Sequence, residues 1–177
     1  MITGEFVNNE VVVFGKAESE EVYGIGTYGK IKDDNLVLSL CEALHLVERG
    51  KIKIKIAKKE APKEDLYKLF SESDKEFTQK YAVYKDLRER GFLVRTGFKF
   101  GTHFRVYDRG VEMKKGPKAP TEHTKWIVHA VPEGFTCSYQ ELSRAVRLAH
   151  NIRAKMLWAI VDEEKDVTYY KIERITP

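Results

Sequence analysis

Hydrophobic and polar residues alternate most strictly at residues 51–57, which read KIKIKIA. A period of two predicts a β-strand that places its three isoleucines on one buried face. Short apolar runs at residues 11–14 and 35–38 predict two further strands. The first third of the chain is therefore predicted to contain a small β-sheet.

Helical spacing begins directly after the second apolar run. Four apolar residues repeat at this spacing within residues 40–49, and Ser39 and Gly50 provide a helix cap and a helix stop. Pro62 opens a second helical pattern, which runs into a highly charged stretch at residues 71–75. This stretch is the predicted domain boundary.

After the boundary the pattern predicts one larger domain. The predicted elements are a helix at 77–90, strands at 92–97, 99–108 and 124–133, a helix at 138–155, and strands at 156–162 and 167–175. The predicted fold class is α/β (α+β), with a small N-terminal α/β domain at residues 1–75 and a second domain at residues 76–177.

Composition adds little to this organisation. The formal net charge of +4 and the sequence pI of about 8.9 permit nucleic-acid binding without requiring it. Cys41 and Cys137 lie far apart without CxxC spacing, which indicates neither a zinc site nor a disulfide framework. The sequence shows neither a leader pattern nor a membrane-length apolar run, so we expect a soluble, cytoplasmic protein without membrane association.

Three stretches of the second domain carry a family resemblance. They read FKFGTHFRVYDRG at residues 98–110, TEHTKWIVHAV at 121–131 and RLAHNIRAKMLWAIVD at 147–162. Together they resemble the archaeal tRNA-splicing endonucleases. The resemblance covers most of the chain and implies a restriction-endonuclease-like catalytic domain. It also implies a precursor tRNA substrate with a bulge-helix-bulge motif, 2′,3′-cyclic phosphate and 5′-hydroxyl products, and a reaction that uses neither metal ion nor other cofactor.

The same resemblance implies a catalytic triad of Tyr107, His123 and Lys155. Cleavage of RNA by its own 2′-hydroxyl needs a proton acceptor, a proton donor and a group that stabilises charge on the phosphorane. In the family pattern Tyr107 is the base, His123 the acid and Lys155 the stabilising cation. Considered singly, a tyrosine in a strand usually packs against the sheet, and a lysine beside a core strand is usually solvated, so neither residue alone indicates catalysis.

The positions of Tyr107 and Lys155 in the sequence also predict that their side chains are accessible to a substrate. Tyr107 is expected at the end of its strand, just before a turn formed by residues 108–110, where it would project into a loop region. Lys155 is expected just before an apolar strand. Packing or surface roles are expected for His45 and His150, whereas His103 is a weaker candidate for an RNA contact.

Five basic residues are candidates for RNA binding. Arg147 and Arg174 would stack on a bulged base, because the family holds such a base between side chains of neighbouring subunits. The remaining three are Lys114, Lys115 and Lys118, in a loop at residues 111–122 that is longer than in many relatives. They would contact phosphates if the loop is more than a surface insertion.

Residues 162–166, DEEKD, bear on assembly. By themselves they form a solvated acidic hairpin tip. In the family an acidic loop at this point inserts into a neighbouring subunit, and the following strand, residues 167–175 here, pairs two subunits. This predicts a homotetramer, with a heterotetramer containing a structural subunit as the alternative.

Two other functions remain open from the sequence. One is a non-catalytic structural RNA-binding subunit, although this chain retains all three triad residue types. The other is a metal-dependent DNA nuclease of related fold, which requires clustered carboxylates. Neither FRVYD nor MLWAIVD contains such a cluster.

Overall fold

The computed structural model describes residues 1–97, 101–111, 113 and 123–177. The chain divides into two compact units, Met1–Thr78 and Gln79–Pro177. The predicted domain boundary after residue 75 stays a prediction. The mixed α/β class is confirmed, since both units combine helices with a mixed sheet.

The first unit contains a six-stranded sheet with the order β3-β4-β2-β1-β5-β6. Its strands are β1 (Ile2–Val7), β2 (Glu10–Val13), β3 (Lys30–Lys32), β4 (Asn35–Leu38), β5 (Ile52–Ile56) and β6 (Lys59–Glu60). β1 and β5 are parallel, and the other pairs are antiparallel. The three strands predicted in this part of the chain are confirmed.

The helices of the first unit are α1 (Lys16–Gly24), α2 (Leu40–Glu48) and α3 (Lys63–Ser73). The prediction of α2 is confirmed. Ser39 caps it through a capping box with Glu42. The buried Glu42 carboxylate also accepts a hydrogen bond from the Gly29 amide at 2.9 Å. Sequence reasoning missed α1, because it buries only Ser19 and Val22 and lacks an apolar stripe.

Helix α4 (Phe77–Glu89) begins in the first unit and continues in the second. The second unit has a five-stranded sheet with the order β11-β10-β9-β8-β7. Its strands are β7 (Phe92–Thr96), β8 (Phe104–Arg109), β9 (Trp126–Pro132), β10 (Lys155–Val161) and β11 (Val167–Ile172). Helix α5 (Tyr139–Asn151) connects the parallel strands β9 and β10, as a parallel pair requires a crossover.

The two faces of this sheet pack against different helices. On one face, Ala149 of α5 packs into an apolar cluster with Ile127, Val131, Met156 and Trp158. This face is called the α5 face below. On the other face, the ring of Tyr84 from α4 lies 5.8 Å from the ring of Phe104. Alternation along each strand decides which face a side chain joins.

Three predicted boundaries in this unit were wrong. The helix predicted at 138–155 ends near Ile152, because Arg153 adopts a left-handed φ of 57° and Lys155 already pairs with β9. The strand predicted at 99–108 begins at Phe104, and residues 98–100 lie outside the described part. The strand predicted at 167–175 ends at Ile172, so Arg174 follows it.

Candidate active site

Two backbone hydrogen bonds of Lys125 define one end of the second sheet. Its amide donates to the carbonyl of Val106 at 2.8 Å, and its carbonyl accepts from the amide of Lys155 at 3.0 Å. Trp126 pairs with both Val106 and Lys155. The main chain thus places Tyr107 and Lys155 at the same end of β8 and β10, with β9 between them. His123 lies two residues before Lys125.

Tyr107 differs from its expected setting. It lies within β8 opposite Leu93, and its side chain is only 1 % exposed. The prediction that it projects from the end of its strand was wrong, because β8 continues to Arg109, which pairs with Phe92. Alternation places Tyr107 on the same face as Arg105, the partner of Ile127. Tyr107 therefore belongs to the α5 face.

His123 and Lys155 are exposed. His123 directly follows residues 114–122, which lie outside the described part of the chain. The candidate phosphate contacts Lys114, Lys115 and Lys118 are in that segment. Lys155 is the first residue of β10 and not the residue before a strand.

A cleft of about 610 Å³ brings Lys155 together with both arginines named from the sequence. This Lys155 cleft is lined by Arg147 and His150 of α5, by Met156 of β10, and by Ile172, Glu173 and Arg174 at the end of β11, with Val146, Ala149, Asn151, Ala154 and Thr176 completing it. Three side chains in it are permanent cations and one is a carboxylate. The cleft is therefore suited to an anionic ligand.

The sequence did not predict a row of aromatic and charged side chains that lies beside the strand ends. The Arg109 guanidinium lies 4.9 Å from the ring centre of Phe92, whose ring meets that of Trp126 at 5.1 Å. Lys125 lies 4.6 Å from the Trp126 ring centre and forms a 2.7 Å ion pair with Asp108. The only sequence signal was the position of Asp108 directly after Tyr107.

The Asp108 carboxyl is held in its charged form by its neighbours. The hydrogen bond from Lys125, followed by the one from the Arg109 amide, lowers the pKa of Asp108. This exposed ion pair joins the residue after Tyr107 to the segment that leads into β9. The contact joins a residue before position 111 to one after position 122.

His45, His103 and His129 have packing contacts, whereas His150 is exposed. His45 is 3 % exposed, and its ring lies 6.0 Å from that of Tyr28, which confirms its packing role. His103 lies before β8 and not within it. Its Nδ1 accepts a hydrogen bond from the Ala130 amide at 3.0 Å, and its ring stacks on His129 at 4.5 Å. The RNA contact predicted for His103 remains untested.

The acidic segment forms a tight turn between β10 and β11. The Asp166 amide donates to Asp162 Oδ1 at 2.8 Å, and the Lys165 amide donates to the Asp162 carbonyl at 3.1 Å. Glu163 and Glu164 are exposed at its tip. The hydrogen bonds of Asp162 therefore stabilise the turn, whereas the carboxylates of the two glutamates are exposed to solvent.

Within the described ranges, no group of three or more His, Cys, Asp or Glu side chains is arranged to hold a metal ion. A helix both long and apolar enough to span a bilayer is also not found in that part of the chain.

Comparisons with known proteins agree along the chain. Residues 2–67 match the family described as tRNA intron endonuclease, N-terminal domain, and residues 77–169 match tRNA intron endonuclease, catalytic C-terminal domain. A tRNA-splicing endonuclease of Thermococcus gammatolerans is 46 % identical over 152 residues, covering 86 % of this chain and 85 % of the relative. One from Methanothermobacter thermautotrophicus is 37 % identical over 176 residues, covering 99 % of each.

Proposed function

The chain belongs to the tRNA intron endonuclease family, and on that premise we propose that it excises introns from precursor tRNA. The substrate is RNA with a bulge-helix-bulge motif. The products carry 2′,3′-cyclic phosphate and 5′-hydroxyl ends. An A-form helix has a deep, narrow major groove, so shape and unpaired bases are the features that a protein can recognise.

The observation that carries this proposal is the backbone connection through Lys125. It joins β8, β9 and β10 at the end where Tyr107, His123 and Lys155 occur. Neighbouring strands are about 4.8 Å apart, so residues two strands apart are separated by roughly 10 Å. Alternation places Lys155, the neighbour of Met156, on the face opposite Tyr107, so we propose that both side chains approach one phosphate around the end of β9.

The reaction is an intramolecular transesterification, in which the 2′-oxygen bonds to phosphorus and the 5′-oxygen leaves. Tyr107, as phenolate, takes the proton of the 2′-hydroxyl, whose oxygen then bonds to the adjacent phosphorus. His123, as imidazolium, gives its proton to the 5′-oxygen as the bond from phosphorus to that oxygen breaks. Lys155 stabilises the charge on the phosphorane oxygens. Both protons are thus accounted for, and the phosphate remains as a 2′,3′-cycle.

The burial of Tyr107 adds a requirement to this mechanism. A general base must come within hydrogen-bond distance of the proton it removes. Since the tyrosine side chain is 1 % exposed, RNA binding must uncover its hydroxyl. Lys155 and His123 are exposed and need no such change.

The Lys155 cleft supplies the remaining contacts in the proposal. Arg147 and Arg174 line it with Lys155, so a nucleotide whose phosphate meets Lys155 has two guanidinium groups within the same cleft. A planar guanidinium can stack on an unpaired base or bind a phosphate. Lys114, Lys115 and Lys118 would add phosphate contacts from the preceding loop.

A cleavage assay tests the proposed reaction. We expect prefolded precursor tRNA to be cut at both ends of its intron in excess EDTA, with 5′ ends that a kinase labels without prior phosphatase treatment. The expected 3′ ends are cyclic phosphates. Loss of cleavage in EDTA that returns with added magnesium would contradict the metal-independent mechanism. RNA binding without any cleavage would favour a structural subunit.

A further inference from the structure

A second cleft, of about 440 Å³, lies on the opposite side of α5 from the Lys155 cleft. Glu141, Arg144, Ala145 and Leu148 line it, and their spacing of three and four residues defines one face of the helix. Its other lining residues are Gly101, Thr102, His129, Phe135, Cys137, Met156 and Trp158. Its volume falls within the range of about 300–1,000 Å³ typical of small-ligand sites. We call it the aromatic cleft.

Three aromatic rings form its walls. The Phe135 ring centre lies 5.8 Å from that of His129 and 5.5 Å from that of Trp158, and His129 and Trp158 are also 5.5 Å apart. The rings are inclined to one another by 49° to 62°. Phe135 is 39 % exposed, so the cleft opens to solvent beside it. Such walls suit a flat ring with aromatic faces.

Two residues that line the same cleft carry a buried polar atom. Trp158 is 9 % exposed and Thr102 is 7 % exposed. Neither the Trp158 Nε1 nor the Thr102 hydroxyl has a hydrogen-bond partner in the described part of the chain. Buried polar atoms in proteins are nearly always paired, and an indole N–H can only donate. A ligand that bonds to both offers an acceptor to the indole N–H and either an acceptor or a donor to the hydroxyl.

The rim of the cleft contains a cation. Arg144 is exposed there beside Glu141. The Glu141 carboxylate is already engaged, because it accepts hydrogen bonds from the Ser138 amide at 2.8 Å and the Ser138 hydroxyl at 3.0 Å. These bonds lower the pKa of Glu141. Arg144 also attracts the Glu141 carboxylate, and it is the cation at the rim that an anionic substituent of the ligand would meet.

From this geometry we infer that the aromatic cleft binds a single unpaired nucleobase of the RNA substrate. A base has aromatic faces for the three rings, acceptor atoms for Trp158 and Thr102, and a phosphate for Arg144. Met156 lines both clefts, and different faces of α5 line each of them, so the base site and the proposed catalytic cation Lys155 lie on opposite sides of α5. The inference rests on the proposed function, since it takes the RNA substrate from it.

Tryptophan fluorescence tests this site directly. The chain has two tryptophans, so Trp126→Phe leaves Trp158 as the only one. The probe is an RNA hairpin with one unpaired adenosine, with 2′-deoxy sugars in the bulge to prevent cleavage. We expect it to quench Trp158 fluorescence, whereas a fully paired hairpin does not. Absence of quenching by the bulged hairpin, despite binding measured by gel shift, would overturn the inference.

Two substitutions and a matched control locate the contact. Phe135→Ala should weaken binding of the bulged hairpin by about fivefold or more, the lower end of a base-stacking contribution. Thr102→Val keeps the side-chain shape and should weaken it by a similar factor if the hydroxyl bonds the base. Tyr139→Ala removes an aromatic ring that is 92 % exposed and outside the cleft, and should leave affinity unchanged. Equal effects of Phe135→Ala and Tyr139→Ala would overturn the assignment.

Further measurements distinguish a base of the RNA substrate from a free nucleotide as the ligand. Adenosine monophosphate that quenches Trp158 as fully as the bulged hairpin, with Phe135→Ala abolishing both signals, would support the base site and assign it to free nucleotides. A change in light-scattering mass on Phe135→Ala would instead place the cleft between copies of the chain and overturn the inference. Trp158 quenching without cleavage of precursor tRNA would contradict the proposed function alone, and cleavage without quenching would contradict the base site alone.

Discussion

The main chain of Lys125 joins the three strands on which the candidate active site depends. Its amide and carbonyl bind β8 and β10, and its side chain pairs with Asp108, the neighbour of Tyr107. Main-chain hydrogen bonds do not depend on the exposed side chains of His123 and Lys155. Substitutions at those two positions should therefore alter chemistry with little effect on folding.

His123→Ala tests the role of the proton donor. We expect the single-turnover cleavage rate to fall about a hundredfold or more, because general acid catalysis contributes about 10² to 10⁴. Binding of precursor tRNA should change little, since an exposed imidazole contributes little packing. His103→Ala is the comparison, because His103 has packing and backbone contacts. Normal cleavage by His123→Ala, together with loss of cleavage in His103→Ala, would contradict the proposed triad.

Tyr169 contributes a pH-dependent element of stability. Its hydroxyl donates to Asp86 at 2.7 Å, and Arg90 donates to the same carboxylate oxygen at 2.8 Å. Burial, followed by the hydrogen bond to Asp86, raises the pKa of Tyr169 well above its usual value. The fold thus favours the neutral phenol. Its contribution is complete below the unfolded pKa of about 10 and declines as the pH rises above that value.

Tyr169→Phe should lower the free energy of unfolding by about 1–3 kcal/mol at neutral pH, as for a hydrogen bond to a charged group. It should also reduce the loss of stability between about pH 10 and pH 11.5, because the titrating group is gone. Urea unfolding at both pH values measures this. Tyr170→Phe is the control, since Tyr170 is 55 % exposed. Equal pH dependence in wild type and Tyr169→Phe would contradict the assignment.

At the scale of elements, β11 and the turn before it offer the surfaces suited to assembly. β11 is at one edge of the five-stranded sheet, with Tyr170 exposed on it. An edge strand presents main-chain groups that a second strand can pair with. In the turn at residues 162–166, Asp162 makes the internal hydrogen bonds that fix the backbone. Glu163 and Glu164 carry exposed charges.

The proposed role of the turn in assembly can therefore be tested by changing the two glutamates without changing Asp162. Glu163→Gln combined with Glu164→Gln removes two charges and retains the hydrogen bonds of Asp162. We expect the tetramer to dissociate into folded dimers, with cleavage reduced, as measured by light scattering and the cleavage assay. Glu18→Gln with Glu20→Gln, at two exposed positions of α1, is the charge-matched control. An intact tetramer in the turn variant would show that these charges are not required.

At the scale of the whole molecule, each chain carries one candidate triad, whereas intron excision needs two cuts. Two active subunits held in a fixed relation supply both cuts. Because the chain carries both the triad residues and the acidic turn, one kind of subunit can provide catalysis and contacts between subunits. This argument supports the proposed homotetramer.

Light scattering of the purified protein tests the proposed stoichiometry. We expect a mass of about four times the 20.5 kDa chain, with cleavage activity in the same fraction. The mass should be unchanged by Tyr107→Phe, which removes only the catalytic hydroxyl in the proposed mechanism. A smaller, inactive species that gains activity only after addition of a second kind of chain would replace the homotetramer with a heterotetramer.

Features that depend on nearby residues could be predicted from the amino-acid sequence. Alternation identified β5, and Ser39 with helical spacing identified α2, because both signals lie within one element. The motifs around Tyr107 and Lys155 indicated the family. The approximate order of elements in the second unit also followed from local pattern.

Features that depend on partners far apart in the chain became visible in the folded protein. Phe92 determines that β8 continues through Arg109, and pairing with β9 makes Lys155 a strand residue. The Lys155 cleft unites residues from α5, β10 and the end of β11, and the aromatic cleft unites residues from four separate segments. Hydrogen bonds and packing between segments far apart in the chain fix these positions. Local hydrophobic patterns do not predict which distant segments will pair or pack.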